Sequence, residues 1–237
     1  MNRIAWMVFR NIVRAPFWFL HIVKMGKENS GYTEQERYDY IRNMVKKINK
    51  TGRVTVKVFG EENIPEQDGF IMFPNHQGLF DVLALMESNT HPFGVVIKKE
   101  ASNIILVKQV VKALRGIAID REDIKASLEV IRQMTKEVKE GRNYLIFAEG
   151  TRSRNGNQIL PFKGGTFKSA VNAKCPIVPV ALIDSYRPFD EPGIAKRTVQ
   201  VHYLKPILPE QYIGMKTVEI ADIVHDRIQE EINHFIL

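Results

Sequence analysis

His76 and Asp81, in the stretch Phe73-Pro74-Asn75-His76-Gln77-Gly78-Leu79-Phe80-Asp81, form a pairing that can make a general base. An imidazole takes a proton on one ring nitrogen while a carboxylate on the other fixes its tautomer and stabilises the cation that forms. The apolar run Gly69 to Phe73 reads as a short buried strand, and Leu79 to Met86 as a helix. His76 therefore falls where strand hands over to helix, at the carboxyl end where open α/β sheets bind ligands. Taken alone, the pair is equally compatible with a buried structural histidine beside an ordinary helix-start carboxylate.

A second strand end carries charge. After the apolar run Tyr144 to Phe147 comes Ala148-Glu149-Gly150-Thr151-Arg152-Ser153-Arg154. Arginine presents a planar fork of donors that matches phosphate or carboxylate oxygens, so this turn can hold an anion; a solvated basic loop would look the same. Gly164 and Gly165, within Phe162 to Ala170, lead into a further expected helix whose first N–H groups are free for an anion.

These segments, from roughly Asn75 to Ala181, closely resemble the glycerolipid acyltransferase family, most of all its members that acylate 1-acyl-glycerol 3-phosphate. The family's Asn-His, four residues, Asp motif is met by Asn75, His76 and Asp81, and its Glu-Gly-Thr-Arg-Ser motif by Glu149 to Ser153. Gly116 to Arg121 is similar to a third motif and Val178-Pro179-Val180 to a late strand, and the Lys98-Lys99-Glu100 run also looks familial. Gly78 stands where many members have serine, Ala148 where proline is usual, and Arg115 and Ala118 also depart from the common residues. None of these removes a group the reaction needs; they bear on substrate range.

The resemblance implies an acyltransferase with an acyl thioester, acyl-CoA or acyl carrier protein, as co-substrate and no other cofactor. It implies His76 as general base held by Asp81, and an acceptor site formed by Glu149, Gly150, Thr151 and Arg152, with Arg121 and Arg152 on the phosphate of lysophosphatidic acid. The tetrahedral oxyanion needs a donor, which a backbone N–H or a lysine such as Lys98 can supply. Glycerol 3-phosphate or another lysophospholipid is an alternative acceptor, and a thioesterase or lipid hydrolase, with His76 activating water, an alternative reaction.

The elements that must position these residues follow from periodicity. Strands are expected at 53–58, 95–97, 117–119, 144–147, 177–182 and 199–204, with helices at 103–114, 124–139, 166–172 and 217–235. Together with the first strand, this alternation predicts an α/β fold with a mainly parallel or mixed sheet flanked by helices, as the resemblance also implies. A chain of 237 residues with 44% hydrophobic content can bury one such core. We expect a catalytic domain over residues 53–237, preceded by a membrane-associating helical segment over residues 1–52.

In that segment Ile4 to Val23 is almost wholly apolar, yet Arg3, Arg10, Arg14 and His21 fall at intervals of seven, four and seven, which helical spacing puts on one narrow face. A spanning helix would place Arg10 and Arg14 near the bilayer middle, whereas an in-plane helix, kinked at Pro16, keeps the arginines among anionic head groups. The competing reading is a core helix of the domain. Thr33 and Glu36 announce a second helix through a capping box.

The net charge of +7 calls for an anionic partner. Because the aromatics concentrate in the N-terminal stretch and form no basic stacking platform, an anionic membrane is expected and nucleic acid is not. The expected location is the cytoplasmic face of the cell membrane. The single cysteine, Cys175, reads as a small hydrophobe at a strand start, and the scattered histidines show no metal-ligand spacing.

Overall fold

The computed structural model describes residues 2–120 and 123–236; Arg121, named above for the acceptor phosphate, lies outside them, as do Met1, Glu122 and Leu237. Helices α1 (Arg3–Asn11), α2 (Ala15–Met25) and α3 (Glu34–Thr51) precede β1 (Val54–Phe59). Then follow β2 (Ile71–Pro74), α4 (Asp81–Ser88), β3 (Phe93–Lys98), α5 (Ile105–Ala113), β4 (Ile117–Ile119), α6 (Ile124–Lys139) and β5 (Asn143–Leu145). The chain continues through α7 (Lys168–Ala173), β6 (Ile177–Ile183), α8 (Arg187–Asp190), β7 (Arg197–Tyr203), α9 (Pro209–Tyr212) and α10 (Thr217–Ile236).

Among the described residues seven strands form one sheet in the order β1-β7-β6-β2-β5-β3-β4. The five strands β6, β2, β5, β3 and β4 run parallel, while β7 is antiparallel to β6 and parallel to β1, so the sheet is mixed, as expected. The central strands β2 and β6 are buried along their whole length, which explains their unbroken apolar runs: helices cover both faces. Residues of α1 to α5, including Met25, Tyr38 and Leu85, fill one core. Residues of α6, α7 and α10, including Val138, Ala170 and Val224, fill the other.

The reversal at β7 has a geometric result. The amino end of β1 lies at the same sheet edge as the carboxyl ends of β2 and β6. The N-terminal helices are thereby carried to the edge where His76 sits.

Those helices differ from the expected single amphipathic element. The chain breaks between Asn11 and Ala15, and α2 restarts with Pro16 in its first turn, where a residue without an N–H is tolerated. The line of polar residues is therefore not one face. Arg3 does not lie among lipid phosphates: it is 1% exposed and donates to the carbonyls of Gly52 (2.6 Å), Pro188 (2.9 Å) and Ala195 (2.6 Å). Three segments distant in sequence leave carbonyls facing one point, and a five-donor guanidinium satisfies them. His21 turns inward and stacks on Tyr40. Met7, Ile22 and Met25 join the core shared with the sheet, whereas Val8, Phe9, Ile12, Val13, Phe17 and Leu20 stay exposed beside the exposed Arg10 and Arg14. Helix α3 begins at the capping box formed by Thr33 and Glu36. Among the described residues no helix is long and apolar enough to cross a membrane.

Arg3→Ala strands three carbonyls, and hydrogen bonds from a charged donor contribute about 1.5–3 kcal/mol each, so the substitution should lower stability by about 4 kcal/mol or more. Urea unfolding in detergent measures this, and the loss should not depend on added anionic lipid. A variant as stable as wild type would return Arg3 to a surface role.

Candidate active site

His76 follows the last residue of β2 by two positions, and its peptide is gripped from both sides by the loop after β5. Its N–H donates to Glu149 Oε1 (2.6 Å), and its carbonyl accepts from the Ser153 N–H (2.8 Å). The imidazole stacks on Phe147 at 3.9 Å between ring centres. Just upstream, Asn75 pairs its side chain with the Leu182 backbone in both directions, accepting from the N–H (2.7 Å) and donating to the carbonyl (3.0 Å), so the tie between β2 and β6 continues one residue past the strand.

Asp81 opens α4 and is completely buried. Its Oδ2 lies 2.7 Å from His76 Nδ1 and also accepts from the N–H groups of Gln77 (2.7 Å) and Gly78 (3.0 Å), while Oδ1 accepts from the Ser185 hydroxyl. With Nδ1 committed, the tautomer that donates to Asp81 leaves Nε2 unprotonated and able to take a proton. The His76 side chain is 20% exposed, so Nε2 is the nitrogen left for a substrate.

Glu149 is only 2% exposed, and both carboxylate oxygens are used on backbone: Oε1 on His76 and Oε2 on the Leu160 N–H (3.0 Å). Burial pushes its pKa up, against the lowering by those two N–H groups and by His76. The geometry thus gives Glu149 the placing of the histidine, a task its motif position did not reveal. Gly150 follows with φ of 75°, a left-handed conformation that a side chain would strain. Thr151 is exposed. Arg152 is half-buried, and among the described residues its guanidinium has no hydrogen-bond or ion-pair partner. Lys98 ends β3, two strands from β2, with its ammonium 2.9 Å from Glu100. Gly164 and Gly165 open a single 3-10 turn, and Gly164 packs so closely on Val218 that a Cβ would sit 2.9 Å from the Val218 nitrogen.

Sequence reading missed Ser185, Gln77 and Asn157. Gln77 Oε1 accepts from the Ser185 N–H (2.8 Å) and lies 3.0 Å from the Ser185 hydroxyl oxygen, its amide donates to Asn157 Oδ1 (2.8 Å), and Asn157 in turn holds Asp184. The signal available was position alone: Ser185 stands just past a strand end, as His76 does. Among the described residues no cluster of metal-ligating side chains occurs. Cys175 is buried, and burial pushes its thiol up to about 12, which removes it as a nucleophile at neutral pH.

Comparison with known proteins adds kinship to this geometry. Residues 55–183 match the acyltransferase family model. A 1-acyl-sn-glycerol-3-phosphate acyltransferase of Borreliella burgdorferi is 27% identical over 76% of this chain and 72% of its own length. A protein of that name from Saccharomyces cerevisiae is 31% identical over 73% of this chain and 58% of its own. The crystal structure of the 1-acyl-sn-glycerophosphate (LPA) acyltransferase PlsC from Thermotoga maritima superposes with a TM-score of 0.78 at 21% identity, covering 98% of this chain and 93% of that one. It shares the fold.

A thiol held neutral and out of water should react slowly. Native Cys175 should label with a thiol reagent at least about tenfold more slowly than in denaturant, and Cys175→Ala should retain its turnover. Rapid native labelling coupled to inactivation would place the thiol at the site after all.

Proposed function

Because the chain belongs to the acyltransferase family, we propose that it transfers an acyl chain from a thioester to the free sn-2 hydroxyl of 1-acyl-glycerol 3-phosphate, forming phosphatidic acid. The observation that carries this reading is the His76 ring, fixed through Nδ1 by a buried carboxylate with Nε2 left for substrate. The names of the relatives support the choice of acceptor.

The acceptor hydroxyl is a weak nucleophile at neutral pH. His76 Nε2 takes its proton as the oxygen attacks the thioester carbonyl, and Asp81 stabilises the imidazolium that forms. Collapse of the tetrahedral intermediate makes the ester, breaks the carbon–sulfur bond and expels the thiolate, which recovers the proton from His76. The hydroxyl attacks directly, with no acyl-enzyme; no serine or cysteine contacts His76 Nε2 among the described residues, and Ser153 reaches the histidine only through its backbone. Glu149 is a positioning residue, acting through the His76 N–H. Arg152, with its uncommitted guanidinium, takes the acceptor phosphate, and Thr151 and Gly150 shape that loop; Arg121 is assigned to the same phosphate by motif alone. Lys98 would have to leave Glu100 to serve the oxyanion, so a backbone N–H is the better donor. The donor is acyl-CoA or acyl carrier protein. The exposed apolar ridge of α1 and α2 enters the membrane surface, where the acceptor resides.

His76→Ala should reduce kcat by about two to four orders of magnitude, with the fold kept, and Asp81→Asn should approach that loss. Assay against lysophosphatidic acid in mixed micelles measures it; near-normal initial rates in folded His76→Ala would remove the general base. Glu149→Ala should lower kcat more than it raises the acceptor KM, because the histidine shifts while the phosphate site remains.

Arg152→Ala should weaken use of the phosphorylated acceptor by about tenfold or more while barely changing the slow reaction with the dephosphorylated one, since bidentate charged contacts are the strong ones. An equal loss on both acceptors would make Arg152 a loop residue.

A further inference from the structure

Away from His76, where α1 meets the end of α3, lies an open pocket of about 720 Å³ lined by Trp6, Arg10, Arg14, Lys47, Lys50, Thr51 and Arg53. Five of these seven are cations, and no carboxylate lines the pocket. Like charges gathered without counter-ions repel one another, so such a cluster is stabilised by an anion.

The ordinary reason for cations at a helix C-terminus is to meet its free carbonyls. Here three of the last four carbonyls of α3, and that of Gly52 after it, are taken. Thr51 O accepts from Trp6 Nε1 (3.1 Å), Gly52 O from Arg3 (2.6 Å), Lys50 O from the Arg53 N–H (3.2 Å), and Ile48 O from the Gly52 N–H (2.8 Å). Among the described residues none of the five cations forms an ion pair or a side-chain hydrogen bond; Arg10 only rests over the Trp6 ring at 5.6 Å. Arg53 holds a left-handed φ of 60°, which a non-glycine residue adopts at a cost.

The surroundings identify the anion. The apolar residues Val8, Phe9, Ile12 and Val13 stand exposed on and after α1, the helix that forms one wall of the pocket. The pocket also opens at the amino end of β1, which is the edge of the sheet that carries His76, three strand positions away or roughly 14 Å along the sheet. A phosphate whose own acyl chains lie beside Phe9 and Val13 meets both the charge and the apolar surface.

We propose that this pocket binds the head-group phosphate of an anionic phospholipid in the bilayer, as a site separate from the acceptor phosphate site at Arg152. It rests on the membrane-docking part of the reading above and needs no acyl transfer. A lipid held here ties the catalytic edge of the sheet against the membrane plane.

The test is co-sedimentation of the full chain with neutral phosphatidylcholine vesicles and with vesicles containing phosphatidylglycerol, without acyl donor. Lys47→Glu with Lys50→Glu, and separately Arg10→Ala with Arg14→Ala, should each lose roughly tenfold or more in binding to the anionic vesicles and little on neutral ones. A control of equal charge change outside the pocket, Lys24→Glu with Lys27→Glu, should lose clearly less. Equal loss in the control would reduce the effect to diffuse surface charge and overturn the pocket. Inorganic phosphate at constant ionic strength should leave vesicle binding unchanged; displacement by it would identify a soluble-phosphate site instead. Wild type that binds no vesicle would defeat the docking reading itself, leaving acyl transfer from detergent-dispersed acceptor to be judged separately.

Discussion

A carboxylate taken wholly out of water is costly unless donors surround it, and Asp81 is such a group. Its two oxygens accept from the imidazole, from two consecutive N–H groups and from a serine hydroxyl. Three of these donors come from the turn between β2 and α4, and the fourth from just past the end of β6. The requirement to satisfy Asp81 therefore constrains the turn Gln77–Gly78, the start of α4 and the position of β6 at once. A second buried carboxylate, Glu149, constrains the other flank by tying the loop after β5 to the His76 peptide. The sheet order β6-β2-β5 is what allows this: His76 leaves the middle strand, Ser185 the one on one side and Glu149 the one on the other. Three neighbouring strand ends build the site.

The same logic shows how much of the site was legible in the sequence. The His76–Asp81 contact spans five residues across one strand-to-helix junction, so composition and spacing reveal it. Glu149 was visible as a charged residue at a strand end, but its partner was not, because the contact with the His76 N–H depends on β5 lying beside β2. Ser185 carried no motif at all; its role follows from β6 lying on the opposite side of β2. Among the elements, α6 and β4 begin and end where periodicity places them, since a strong apolar rhythm survives tertiary packing. The N-terminal segment did not, because periodicity assigns residues to faces without saying what each face meets. Arg3 shares the helical line of Arg10, yet one fills a gap among carbonyls and the other stays in solvent.

Placement of the imidazole follows from its two constraints. A ring sealed by packing would have no access to a lipid hydroxyl, and a ring left free would lose the tautomer on which its basicity rests. Phe147 covers one face of His76, Asp81 takes Nδ1, and the loop after β5 fixes the peptide, so the remaining freedom of the side chain is small and Nε2 is the ring nitrogen left without a hydrogen-bond partner among the described residues. Fixing the base before substrate arrives means that little reorganisation is left for the transition state. An imidazolium formed at His76 as proposed would stand between two carboxylate-bearing segments, and its charge would offset part of the cost of burying them.

The reversal of β7 and β1 extends that arrangement to the N-terminal helices. Had β1 run parallel to β2, its amino end, and with it the end of α3, would lie at the edge opposite His76. A lipid surface met by α1 and α2 would then face the wrong side of the sheet. Because β1 starts at the catalytic edge, Arg3 can clamp Gly52 to the backbone of Pro188 and Ala195, beyond the strand that ends near Ser185. The exposed ridge is thus fixed rigidly to the segment that holds Asp81. With the helices docked as proposed, an acceptor whose chain stayed in the bilayer would have to raise only its glycerol hydroxyl to reach Nε2, and the distance it rose would be set by this clamp and not by the motifs themselves.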